Sequence, residues 1–124
     1  MQVRRLDHVN IQTTQVKSMV AWYSDTLGLR SGPRPDFPFP GAWLYAGDDP
    51  VIHLVGHDGD PAVGSEAKLK LEHFALTATG RADFEAKLSD ASVPHQRFTL
   101  DEIGVVQFHL CDPDGNRVHI DFEA

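Results

Sequence analysis

The most constraining feature of this 124-residue sequence is that it contains a degenerate copy of itself. Residues 6–11 read apolar, acidic, histidine, apolar, small, apolar, and residues 71–76 repeat that order 65 positions later. A second pair of segments, Ile-His-Leu at 52–54 and Val-His-Ile at 118–120, is offset by 66 positions. Two matched segments at almost one offset indicate that the chain is built from two copies of one structural unit.

Within each copy the hydrophobic period changes along the chain. Residues 4–13 alternate as in a half-buried strand, and residues 15–27 carry an apolar stripe at helical spacing. Three short strand candidates complete the first copy, and the second copy repeats the order. We therefore predict an α+β fold of two βαβββ modules in tandem, at 1–57 and 69–124, with a linker at 58–68 that is rich in small and polar residues. The other predicted elements are strands at 29–31, 42–46, 51–55, 69–78, 95–100, 105–110 and 116–122, and a helix at 82–90.

Four histidines occupy the matched strand positions, namely His8, His53, His73 and His119. Successive side chains of a strand point to opposite faces, so each of these histidines lies opposite an apolar face that a helix should cover. The mixed sheets would then curve around a central pocket, with the four imidazoles converging through a pseudo-twofold relation between the copies. Neutral imidazole binds zinc, iron, manganese, nickel, cobalt and copper, so the sequence predicts a divalent metal site of unspecified identity.

The other titratable candidates have weaker support. Asp121 lies on the same strand face as His119. It is a candidate metal ligand, a hydrogen-bond partner for an imidazole, or a solvated charge. His109 has no histidine counterpart in the first copy, but it shares strand parity with Gln107 and is a candidate for contact with a substrate. Neither His57 nor His95 has a counterpart, which favours a loop or surface position for both.

A proline-rich segment at 33–41 is the most unusual stretch of the chain. Proline restricts the backbone, so the segment is either a stiff surface connection or a rigid support for Arg34 and Phe37 beside a pocket. Arg34 could bind a carboxylate or phosphate. Trp43 and Tyr45 share strand parity and could stack on a flat substrate, although core packing is an equal alternative for Trp43.

Composition excludes several classes of protein. The net charge of −7 disfavours non-specific binding to nucleic acid, which requires a basic surface. The single cysteine, Cys111, excludes an intrachain disulfide and a cysteine-rich zinc site. No apolar run approaches the roughly 20 residues that cross a bilayer, and the first residues lack the apolar stretch of a signal peptide. These features predict a cytoplasmic protein that binds neither nucleic acid nor membranes.

Three ordered motifs resemble those of the vicinal oxygen chelate superfamily, which includes glyoxalase I, bleomycin-resistance proteins and extradiol dioxygenases. Residues 6–9 are similar to its opening strand, residues 21–29 to the end of its first helix, and residues 112–116 to the DPDGN turn before its last strand. Carried over position by position, the metal ligands of the family fall on the four histidines that the repeat selects. The resemblance also implies a homodimer, since small members commonly form one.

The sequence departs from the family at the ligands, because many relatives carry glutamate where this chain has His119, and some also where it has His53. Four neutral imidazoles would leave a metal ion more electropositive, which favours an anionic or enolate-like substrate. We therefore expect a metal-dependent enzyme that chelates a small oxygen-rich metabolite and acts as a lyase or isomerase, with His53, His119 and Asp121 as catalytic candidates. The alternatives are a dioxygenase acting on ring or diketone substrates, and a metal-free protein that binds a small molecule or drug.

Overall fold

The chain divides into two compact units, Met1–Val63 and Gly64–Ala124. The structure, a computed structural model, describes residues 1–2, 4–59 and 73–124. The first module consists of β1 (Val9–Thr13), α1 (Val16–Leu27), β2 (Arg30–Gly32), β3 (Gly41–Ala46) and β4 (Asp49–Gly56). The second consists of β5 (Phe74–Thr77), α2 (Arg81–Asp90), β6 (Gln96–Leu100), β7 (Val105–Cys111) and β8 (Arg117–Glu123), with a short 3₁₀ turn at Asp101–Ile103.

Each module forms a four-stranded mixed sheet of the same topology. The strand orders are β1-β4-β3-β2 and β5-β8-β7-β6. The first and last strands of each module pair in parallel, and the remaining neighbours pair antiparallel. Parallel neighbours need a long crossover connection, and here the helix and two strands supply it. This pairing places the strand that begins just after His8 or His73 beside the strand that carries His53 or His119.

The predicted tandem βαβββ fold is confirmed, and the differences lie at the ends of elements. The first strand is shorter than predicted, because only Val9–Thr13 pairs with a neighbour. The prediction of a strand at 69–78 lies partly outside the described residues, where β5 covers Phe74–Thr77. Most of the predicted linker at 58–68 also lies outside them, so the predicted module boundaries stay predictions.

In the first module, α1 packs its apolar stripe on one face of the sheet. Met19 and Tyr23 of the helix are fully buried, as are Leu44 of β3 and Ile52 of β4. The stripe ends at Gly28, whose left-handed φ of 70° lets its amide bond back to Ser24 and close the helix. Because Ile52 faces the helix, His53 next to it must face the other way.

The second module builds its core from both aliphatic and aromatic residues. Phe84 of α2 contacts Phe108 of β7 edge to face, with ring centroids 5.5 Å apart, and lies 5.6 Å from the ring of Phe122. Leu88 of α2 is fully buried beside them. Residues that alternate with Phe108 and Phe122 therefore occupy the opposite face of this sheet, as in the first module. No helix among the described residues is long and apolar enough to span a membrane.

Candidate functional site

Three stacked rings cross the polar face of the first sheet. Strand register places Trp43 of β3 directly beside His53 of β4, and the two rings are nearly parallel with centroids 4.1 Å apart. His8, which precedes β1, stacks on the other side of His53 at 3.9 Å, with 12° between the ring planes. We call Trp43, His53 and His8 the first ring row. It brings the two predicted histidines of this module into contact.

The second sheet carries the same arrangement. His109 of β7 lies opposite His119 of β8, and their rings stack at 3.5 Å and 6°. His73 stacks on the other face of His119 at 3.8 Å and 12°. His109, His119 and His73 form the second ring row. His109 stands 66 positions after Trp43, which is the offset of the repeat, so the two rows are equivalent position by position.

Both histidines of the first ring row are held through one ring nitrogen. Nδ1 of His8 donates to Oδ2 of Asp7 at 2.7 Å. His53 bonds to the backbone of Pro50, while its Nε2 is buried without a hydrogen-bond partner among the described residues, so Nδ1 makes that bond. An imidazole whose first nitrogen is fixed by a carboxylate or a carbonyl presents a lone pair in a defined direction at the second.

The electrostatics of this row favour a neutral His53. Burial lowers the pKa of His53, and the neighbouring His8 lowers it further, against smaller opposing contributions from Pro50 and Asp7. The hydrogen bond from His8 is the largest cause that lowers the pKa of Asp7, so this exposed carboxyl stays ionised. Metal binding by imidazole requires the neutral ring, so the lowered pKa of His53 favours it.

Beside the second ring row lies a short polar network. Nε2 of Gln107 donates to Oδ2 of Asp121 at 3.2 Å, and Nε2 of His109 lies 3.2 Å from Oε1 of Gln107. The other carboxylate oxygen of Asp121, Oδ1, is buried with no hydrogen-bond partner in the part of the chain that the structure describes. His119 is only 7% exposed. The network therefore holds Asp121 by one oxygen and leaves the other available to accept a proton or a hydrogen bond.

A pocket of about 140 Å³ opens next to the first ring row. Arg34, Phe37 and Trp43, which the sequence selects as substrate contacts, all line it together with His53. The full lining is Asn10, Arg34, Phe37, Phe39, Trp43, His53, Leu54 and Val55. Asn10 is the residue that sequence reasoning passed over. The available signal was its strand parity with His8.

The proline-rich segment is fixed to the sheet at both ends. The hydroxyl of Tyr45 donates to the carbonyl of Pro33 at its start. The amide of Gly56 donates to the carbonyl of Pro40 at its end, at 2.9 Å. In between, Nη2 of Arg34 donates to the carbonyl of Phe39 at 2.9 Å. These bonds hold the segment as a wall of the pocket.

The predicted site residues therefore fall into one group in each module. Tyr45 stands apart from the pocket lining, because its hydroxyl binds the proline-rich segment and Arg30 lies 5.2 Å from its ring centroid. In the second module, His73, His109, His119 and Asp121 share one sheet face with Gln107. His57 and His95 lie outside both ring rows, with exposed local hydrogen bonds.

The four histidines and Asp121 are of the donor types that divalent metal ions such as zinc take. Within the described residues, no three or more His, Cys, Asp or Glu side chains form a group arranged to hold one. Each module nevertheless presents two adjacent imidazoles, and Nε2 of His53 is a buried lone pair that no described residue satisfies. A buried polar atom without a partner is costly unless a ligand satisfies it, and nitrogen ligands of this kind suit zinc and its neighbours.

Comparison with known families gives one match that covers most of the chain. The model of the Glyoxalase/Bleomycin resistance protein/Dioxygenase superfamily matches residues 5–120. No curated protein sequence matches the chain.

Many solved structures share the fold. A protein from Bacillus anthracis described as belonging to the glyoxalase family superimposes with a TM-score of 0.79 at 20% identity, covering 100% of this chain and 98% of its own. A glyoxylase/bleomycin resistance protein/dioxygenase domain from Frankia sp. EAN1pec gives 0.76 at 16% identity, with 99% and 100% covered. A glyoxalase/dioxygenase from Nostoc punctiforme gives 0.76 at 15% identity, with 98% and 92% covered. At these identities the likeness extends to the fold alone.

Proposed function

Since the chain belongs to the Glyoxalase/Bleomycin resistance protein/Dioxygenase superfamily, we propose that it is a metal-dependent enzyme acting on a small oxygen-rich metabolite by lyase or isomerase chemistry. The observation that carries the proposal is the equivalence of the two ring rows, each of which pairs two histidines. A histidine pair with ring centroids 3.9 Å or 3.8 Å apart, repeated at equivalent positions, is hard to explain by packing alone.

The residues that would hold the ion are His8, His53, His73 and His119. The hydrogen bonds of His8 to Asp7 and of His53 to Pro50 support this, because metal-binding imidazoles characteristically anchor their second nitrogen on such groups. A bound divalent ion acts as a Lewis acid that stabilises negative charge on substrate oxygens. Four neutral ligands offset none of its charge, so the substrate class that fits is anionic or becomes an enolate.

Asp121 is the best placed general base of the three catalytic candidates. Its Oδ1 would take a proton from a carbon next to a carbonyl group, and the electron pair of the C–H bond would form the enolate. Gln107 would keep Oδ2 in place during this transfer. With an α-hydroxy carbonyl substrate, a proton would pass from the hydroxyl oxygen to the former carbonyl oxygen, and the carboxyl group would return the first proton to the former carbonyl carbon, which gives the isomeric carbonyl compound. We assign His53 and His119 to the catalytic set because each is held in the middle of its ring row.

The primary test is the metal content of protein produced without a histidine tag. After separate loading with zinc, iron, manganese, nickel and cobalt, we expect about one tightly bound ion per chain for at least one metal. His53→Ala and His119→Ala should each lower the affinity at least about tenfold. The matched controls His57→Ala and His95→Ala remove exposed histidines outside the ring rows and should retain the metal. Failure to bind any metal stoichiometrically, or equal binding by the His53→Ala protein, would reject the proposal.

The reaction class has its own test. Asp121→Asn should keep the metal but slow proton exchange between substrate and solvent by about 10²-fold or more. Oxygen consumption by the iron-loaded protein with catechol or a diketone would instead establish the dioxygenase alternative. That outcome would remove the lyase or isomerase assignment while leaving the metal site in place.

The pocket of the first module favours a second candidate function, a metal-free binding protein. Phe37, Phe39 and Trp43 form aromatic walls that could hold a small molecule without any metal. Ligand binding that survives both His8→Ala and His73→Ala, in protein that holds no metal, would establish this candidate over the enzyme.

A further inference from the structure

The size of the first-module pocket limits what it can bind. Its volume is about 140 Å³. A protein cavity of about 150 Å³ accommodates benzene, so this pocket holds a group the size of one six-membered ring. Larger ligands would place only one ring inside it.

The charge of the pocket is opposite to that of the protein. Arg34 is the single fully charged side chain in its lining, and no carboxylate is part of the lining, within the residues that the structure describes. The chain as a whole carries −7. Arg34 uses Nη2 to bind the carbonyl of Phe39, so its guanidinium is fixed while its other N–H groups remain for a ligand. A fixed guanidinium selects an anionic group, above all a planar carboxylate.

The walls of the pocket select a flat group. Phe37 and Phe39 are parallel with centroids 5.0 Å apart, and the ring of Trp43 lies 6.5 Å from that of Phe37. The guanidinium carbon of Arg34 lies 5.0 Å from the centre of Phe37 and 5.2 Å from that of Phe39. Aromatic rings stack on flat partners with an offset or meet them edge to face, and both arrangements suit an aryl ring.

We propose that this pocket binds an aromatic carboxylate, with its ring against Phe37 and Trp43 and its carboxylate on Arg34. The proposal deepens the proposed function by naming the class of substrate that the first module receives. It rests on residues of the first module alone, and the pocket needs no metal to discriminate charge. Its failure can therefore be separated from failure of the metal site.

The test is calorimetric binding of three small probes to the wild-type protein. Benzoate carries both features, benzamide has the same shape without the charge, and cyclohexanecarboxylate has the charge without the flat ring. We expect benzoate to bind about tenfold or more tightly than benzamide, because a charged hydrogen bond is lost. It should bind several-fold more tightly than cyclohexanecarboxylate. Equal affinities for benzoate and benzamide, or no saturable binding of benzoate, would overturn the proposal.

Variants assign the binding to the pocket. Arg34→Gln should weaken benzoate about tenfold to a hundredfold, and Arg34→Lys less. The matched control Arg30→Gln removes a nearby arginine that packs on Tyr45 outside the pocket, and it should leave benzoate affinity unchanged. Phe37→Leu should weaken benzoate several-fold, whereas Phe98→Leu, at an exposed phenylalanine of the second module, should not.

Adding a metal chelator distinguishes benzoate binding in the pocket from benzoate binding to a metal ion. Benzoate binding that persists after chelation and depends on Arg34 supports the pocket, whatever the metal content proves to be. Binding that chelation abolishes and that Arg34→Gln leaves intact would place the carboxylate on a metal ion and overturn the inference.

Discussion

The two modules share a row of three rings at equivalent positions, but the rows differ at one end. The outer position is Trp43 in the first row and His109 in the second. Trp43 turns its ring system toward a pocket, whereas His109 joins a hydrogen-bonded network through Gln107. Duplication has thus preserved the strand register and the central histidine pairs, while the chemistry of the third strand has diverged.

The divergence extends to the neighbouring positions of the sheet face. Gly41 of β3 corresponds to Gln107 of β7, and Val55 of β4 corresponds to Asp121 of β8, each at the repeat offset of 66. At these two positions the first module therefore has no polar side chain, whereas the second has a carboxylate held by an amide. This difference supports a division of labour in which the first module binds a ring and the second moves a proton.

The cores of the two modules also differ at equivalent positions. The prediction with the largest expected effect on stability tests this difference. Phe108 is fully buried against Phe84, whereas its counterpart in the first module is the small residue Ala42. Phe108→Ala should lower the free energy of unfolding by about 3–5 kcal/mol, because it removes a large core ring and leaves a cavity. Urea unfolding followed by far-UV circular dichroism measures this.

The control for the core prediction is Phe98→Ala in the same module. Phe98 is 43% exposed, so its removal should cost less than about 1 kcal/mol. Equal costs for the two substitutions would mean that the aromatic cluster does not form the core of the second module.

A smaller loss of stability is expected on substitution of Gly41, at a position where the sheet faces of the two modules differ. A Cβ atom added to Gly41 would lie 2.2 Å from the carbonyl oxygen of Leu54 and 3.1 Å from Nη2 of Arg34. Gly41→Ala should therefore destabilise the protein by about 1–3 kcal/mol, because the backbone of the adjacent strand must shift. Thermal unfolding measures the change. Ala46→Ser, at the exposed end of the same strand, should stay within about 0.5 kcal/mol, and a Gly41→Ala protein of unchanged stability would contradict the close approach.

Much of this architecture could be read from the sequence because the repeat, the periodicity and strand parity are local properties. Alternation around His53 correctly placed Ile52 and Leu54 in the core. The predicted strands of the first module end within about two residues of the observed ones, apart from the start of β1, which had been placed at residue 4. Residues 4–8 alternate like a strand but pair with no strand among the described residues, and pairing depends on the rest of the sheet.

What the sequence could not supply was contact between strands. Parity alone suggested that His109 faces the same side as Gln107, but its stacking on His119 depends on the register between β7 and β8. Likewise, Trp43 and Tyr45 share a face, yet only Trp43 lines the pocket. The hydroxyl of Tyr45 meets Pro33, 12 residues earlier, and no periodicity encodes that contact.

The smallest predicted effect concerns the middle of the first ring row. Burial lowers the pKa of His53 in the folded protein below its ordinary value of 6.5. As the pH falls, the unfolded chain takes up this proton first, so folding stability is present above pH 6.5 and declines as the pH falls through the folded pKa. Urea midpoints measured in chelator between about pH 7.5 and pH 5 should therefore fall more steeply for the wild type than for His53→Gln. Parallel profiles, or an NMR titration that puts His53 at or above 6.5, would show that the first row does not favour a neutral imidazole.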